Sequence, residues 1–132
     1  MAVRLTKGGA AIFMPPRLGA AVNSPAQAPG KEENQMKKYA FFLMGQAYQP
    51  RQHQASFETA GMLSHIFTVR TLQEAVQLAE RCKQEGFGAI ELCGAFGPQG
   101  AREIIRATGG QIAVGYVTHF PGQDGLFDAF FG

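Results

Sequence analysis

The chain has little with which to build a covalent scaffold. Its 132 residues include two cysteines, Cys82 and Cys93, one in a helical pattern and one in a strand pattern. That excludes a disulfide framework and fits a reduced, cytoplasmic protein. Charged residues are 17% of the chain, below the roughly 25% of ordinary globular proteins. The net charge of +2 lies entirely in residues 1–35, which hold four basic and two acidic side chains, while residues 36–132 hold eight of each. An electroneutral body lacks the basic face that nucleic-acid binding requires. No apolar run approaches the roughly 20 residues of a membrane span. No His, Cys, Asp or Glu pair has metal-ligand spacing, so no metal is expected. Neither a Walker loop nor a dinucleotide fingerprint is present, and no cofactor is implied.

What is present divides at residue 36. Residues 1–35 carry Pro15, Pro16, Pro25 and Pro29 and show no period of 2 or 3.6. Ala10–Met14 is too short for the apolar segment of a secretory signal. The sequence reads here as a disordered extension. Lys31-Glu32-Glu33 can be encoded by a purine-rich ribosome-binding sequence, with Asn34-Gln35 as spacer before Met36. Residues 1–35 are therefore expected to be translated upstream sequence, and 36–132 to be a single domain large enough for its own core.

Within that domain Lys38–Met44 reads as a buried strand and Gln46–Gly61 as a long connection with a helical turn near Ala55–Thr59. Ser64–Val69 is a second strand. Thr71-Leu72-Gln73-Glu74 forms a capping box, opening a helix whose apolar face is Leu72, Ala75, Val76, Ala79 and Cys82 and whose stop is Gly86. Gly88–Cys93 is the third strand. Pro98 opens a second helix that buries Ala101, Ile104, Ile105 and Thr108 and ends before Gly109. Gln111–Thr118 is the fourth strand. The last segment, Asp124–Phe131, is rich in Phe and is expected to dock on the core or on a partner. Short connections between alternating strands and helices imply parallel pairing. The expected fold is thus a small open α/β sheet, mainly parallel and four-stranded, with a βαβαβ core and flanking helices.

Ligands of such sheets collect beyond the carboxyl ends of the strands. Arg70, Cys93, Gly94 and His119 occupy those ends, and Glu91 shares a strand face with Cys93. If the sheet is dry on both faces, Glu91 is costly unless paired. It reads either as a general acid or base with a pKa raised by burial, or as a carboxylate paired with Arg70, His119 or backbone amides. Cys93 reads as packing, or as a thiol favoured by the helix dipole ahead of it. His119 reads as a proton shuttle or as a capped loop residue. Gly94, Gly97 and Gly100 bring a loop to a strand-to-helix junction, where amides suit phosphate or carboxylate, or where glycine simply allows a tight turn.

The run Gly88-Ala-Ile-Glu-Leu-Cys-Gly94, followed by Phe96-Gly97-Pro98, Gly100 and Ile112–Tyr116, resembles a family of small bacterial proteins of unknown function that share an ELCGxFGPxG motif. The resemblance covers Lys37 to about His119 and implies the domain limits, without a substrate. Two functions remain open. One is a protein that binds or transforms a small anionic metabolite in the manner of a lyase or isomerase, with Glu91 and His119 as catalytic groups and Arg70, Cys93 and the three glycines as ligand contacts. The other is a non-catalytic oligomeric or regulatory binding module. A homo-oligomer is expected in either case, because a domain of this size with terminal Phe residues gains from further burial.

Overall fold

The computed structural model describes residues 2–5 and 35–132. The rest of the expected extension lies outside the described residues. Ala2–Leu5 (β1) runs antiparallel to Ala55–Glu58 (β3), with Leu5 opposite Ala55. The other strands are Lys37–Met44 (β2), Met62–Val69 (β4), Ala89–Leu92 (β5) and Ala113–Tyr116 (β6). Their order across the sheet is β1-β3-β4-β2-β5-β6. Strand β2 is central and pairs in parallel with β4 and β5, and β5 pairs in parallel with β6. The domain therefore has five strands and not the expected four. The additional one is β3, which joins β4 as an antiparallel hairpin where the sequence suggests a helical turn.

Leu72–Gln84 (α1) and Gly97–Ala107 (α2) link β4 to β5 and β5 to β6. The Thr71 hydroxyl caps α1 by accepting from the Glu74 N–H at 3.1 Å, and Gly86 follows it in a left-handed conformation, φ +88°. Both crossovers travel the same way across the sheet. Two crossovers of one hand and one direction place both helices on the same face. Accordingly α1 and α2 pack on one another, and one core forms between them and Ala40, Phe42, Leu63, Phe67, Val69, Ile90 and Leu92. The helix faces differ slightly from expectation. Leu78 joins the buried stripe of α1, while Ile105 of α2 is exposed.

The opposite face of the sheet carries Tyr39, Phe41 and Leu43 of β2 and Ile66 of β4, all half-buried, and Glu91 of β5, which is exposed. Among the described residues no helix lies over it. The last helix, Asp124–Phe131 (α3), follows a short 3-10 turn at Pro121–Gln123, packs chiefly on that turn and buries none of its residues. The domain is thus a two-layer α/β sheet with one face open.

Candidate functional site

Adjacent strands β2 and β4 send their connections in opposite directions. The chain leaving β2 passes β4 to reach β3, and the chain leaving β4 passes β2 to reach β5. Such a divergence opens a crevice at the carboxyl ends of the two strands, the usual place for a ligand in an open parallel sheet. A cleft of about 530 Å³ lies there. One wall is the segment Gln49, Pro50, Arg51 and Gln52; the other is the end of β4 with one side of α1, contributing Val69, Arg70, Glu74, Gln77, Leu78 and Arg81. Residues 74, 77, 78 and 81 share a helix face because they are three or four apart.

The cleft gathers three guanidinium groups and one carboxylate. Glu74 is committed to Arg70. Its carboxylate accepts from the Arg70 N–H at 2.8 Å and from Nε and Nη2 at 3.1 and 2.8 Å. The expected capping box is therefore shifted by one residue, with the carboxylate closing on Arg70 rather than on Thr71. These bonds hold the Glu74 carboxyl below its ordinary range and raise the Arg70 guanidinium. The fork also fixes Arg70 at the mouth of the cleft. The polar side chains of Gln49, Gln52 and Gln77 supply further donors.

Of the residues singled out in the sequence, Arg70 is the one brought to this cleft; Glu91, Cys93, Gly94, Gly97, Gly100 and His119 are not in its lining. Glu91 is not the buried charge the sequence suggests. It stands on the open face and accepts from the Tyr39 hydroxyl at 2.6 Å. Its register partner is Phe41, so Tyr39 is its diagonal cross-strand neighbour. Burial first, then the bond to Glu91 and its charge, push the Tyr39 phenol up to about 12. Glu91→Gln is expected to keep the fold at a cost of about 1 kcal/mol or less. It should also bring the Tyr39 titration back down from about 12, read from phenolate absorbance against pH. A collapse in melting temperature or an unmoved Tyr39 would contradict this geometry.

The remaining residues have local partners. The Cys93 Sγ accepts from the Met44 N–H at 3.4 Å, and the Cys93 N–H donates to the Phe42 carbonyl at 3.0 Å, stitching β5 to β2. Gly97 opens α2 with φ +64°, a conformation that favours glycine. A Cβ at Gly100 would stand 3.1 Å from Cβ of Phe96, whose buried ring packs against that turn. His119 belongs to the C-terminal segment, with Nδ1 at 2.9 Å from the Asp124 carboxylate and its ring stacked on Phe127 at 4.0 Å. Among the described residues no three His, Cys, Asp or Glu side chains are grouped to hold a metal ion. No described helix is long and apolar enough to cross a membrane.

Sequence reasoning missed Arg51, Arg81 and Tyr39. Arg81 was accessible from its spacing to Glu74 along α1. Arg51 lies in the long connection between the first two expected strands, and nothing local aims it at Arg70.

Fold and cleft together define a small two-layer, mostly parallel α/β protein with an arginine-lined crevice at its strand ends. The chain belongs to a family of unknown function, DUF6506, whose model matches residues 37–132. Neither a curated protein nor a solved structure matches it.

Proposed function

We propose that this protein binds a small anionic metabolite in the cleft between segment 49–52 and α1. The observation that carries the reading is the gathering of Arg51, Arg70 and Arg81 around one cleft, against a single carboxylate that is itself bound to Arg70. Guanidinium groups recognise carboxylate and phosphate by paired, charge-assisted hydrogen bonds. A volume of about 530 Å³ falls within the roughly 300–1,000 Å³ of small-molecule sites. Divergence of the chain after β2 and β4 supports the same place on topological grounds.

The function is binding. Among the described residues, Glu74, tied to Arg70, is the only carboxylate in the lining, and no histidine or cysteine lines the cleft. Acid/base turnover of the lyase or isomerase type would need a group that this lining does not offer.

Titration calorimetry with inorganic pyrophosphate tests the proposal. Arg51→Ala and Arg70→Ala should each weaken binding about tenfold, the loss of roughly one charge-assisted bond. Affinity should also fall as salt is raised, because the arginines are open to solvent. No binding by the unmodified chain, or an affinity in both variants equal to that of the unmodified chain, would overturn it.

A further inference from the structure

Two apolar surfaces of this chain have no partner among the described residues. The first is the C-terminal arm, residues 117–132. Phe120 and Phe130 are each 80% exposed, Phe131 77% and Leu126 68%. With Tyr116, Val117 and Phe127 the exposed apolar area is on the order of 800 Å², taking about 200 Å² for a fully exposed aromatic side chain. Monomeric proteins rarely expose a contiguous apolar patch beyond about 300–600 Å². A helix of eight residues is also far below the length at which helices persist alone in water. Yet the arm is internally organised: His119 stacks on Phe127 and bonds to Asp124, and Phe127, Phe130 and Phe131 pack their rings together. An organised arm loses less entropy on docking.

The second surface is the open sheet face. Register places Phe57, Ile66, Tyr39, Phe41 and Leu43 on it as a half-buried apolar field. Towards β5 and β6 the same face carries the small residues Ala89, Ala113 and Gly115. A Cβ added at Gly115 would meet nothing within 4 Å, so the face sinks into a shallow trough beside the Tyr39–Glu91 pair.

We propose that two copies of this chain exchange arms, the aromatic side of each α3 covering the open sheet face of the other copy. The occupant is a second copy because the chain carries both halves of the interface, and reciprocal exchange covers both at once in a closed two-fold pair. The area agrees, since a stable interface buries about 800 Å² per partner. Arm exchange also encloses Glu91 and Tyr39, so the short bond between them satisfies two polar groups that the interface would otherwise strand. The exchange surface shares no residue with the arginine-lined cleft, and the two proposals stand or fall separately.

Sedimentation velocity on the full chain is the test, with two variants. Phe130→Asp/Phe131→Asp alters side chains that are 80% and 77% exposed, and Ala113→Arg fills the trough from an exposed position. The full chain should sediment at twice its chain mass, and both variants at one chain mass with unchanged far-UV circular dichroism. A monomeric full chain would overturn the proposal and leave the arm for a different partner. A dimer that survives the arm substitutions would overturn it too. So would a dimer that survives Ala113→Arg, which would mean that arms pair with arms.

Discussion

Acidification from pH 7 to pH 4 is expected to remove about 3 kcal/mol of folding stability through His65 alone. His65 lies on the helix side of β4 and is 3% exposed. Its ring stacks on Phe67 at 3.8 Å, and its Nε2 is 2.8 Å from the Gln54 side-chain oxygen. Nδ1 has no hydrogen-bond partner among the described residues. A proton there would be a buried charge without an acceptor, and burial lowers the His65 pKa from 6.5 to about 4. The sign follows from proton counting. Between these two values the unfolded chain holds a proton on His65 that the folded chain does not, so stability rises with pH across that window. It is fully present above about 6.5 and is lost as pH falls towards 4. Urea unfolding at a series of pH values measures the slope. His65→Phe keeps a ring on Phe67 but cannot titrate, so its slope between pH 6.5 and 4 should be shallower by that amount. Equal slopes in the two chains would contradict a dry, neutral His65.

Phe67→Ala is expected to cost about 3–5 kcal/mol, a large part of the 5–15 kcal/mol that holds a domain together. Phe67 is 1% exposed and is the hub of the aromatic core. Its ring meets Phe42 edge-on at 5.8 Å, Phe87 at 6.1 Å and His65 face-on. Truncation leaves a cavity under three rings and removes pair geometries worth about 0.5–1.5 kcal/mol each. The same cavity admits water to the His65 ring. The two effects should therefore couple, with the pH slope shallower in Phe67→Ala than in the unmodified chain. Denaturant unfolding at pH 7 checks the first part, and a loss below about 1 kcal/mol would show that the core closes around the gap.

Elements with a strong local signal were legible in the sequence. Thr71 before a 3.6-residue apolar period marks α1, and Gly86 marks its end. The apolar run 38–44 is β2 to within one residue. Strand β3 was hidden because its inward residues are polar: Ser56 lies opposite His65, and Gln54 before it bonds the same ring. Nothing in Ala-Ser-Phe-Glu announces a strand until the hairpin partner is known.

Glu91 illustrates the other limit. Its place on a strand was readable, and so was the cost of burying it. Whether it is buried depends on how many faces the helices cover, and that follows from strand order. Because the crossovers from β4 to β5 and from β5 to β6 run the same way across the sheet, both helices fall on one side and Glu91 meets Tyr39 in the open. The order of the parallel strands is set by pairings between residues 24 or more apart, such as Ala89 with Ala113 and Phe42 with Leu92, and local pattern does not encode it. The cleft was only half legible for the same reason. Arg70 was readable from its strand end and Arg81 from its place on the helix face of Glu74, whereas Arg51 joins them only through the divergence of the chain after β2 and β4.

The glycine loop and the arginine cleft are rival locations for an anion, and one measurement separates them. Amide shifts in a two-dimensional nitrogen–proton spectrum, followed as inorganic pyrophosphate is added, report which backbone senses the ligand. Movement concentrated at Arg51, Gln52, Arg70, Thr71, Gln77 and Arg81, with Gly94, Gly97 and Gly100 still, is the expected result. Shifts centred on residues 94–100, or none at all, would contradict the account.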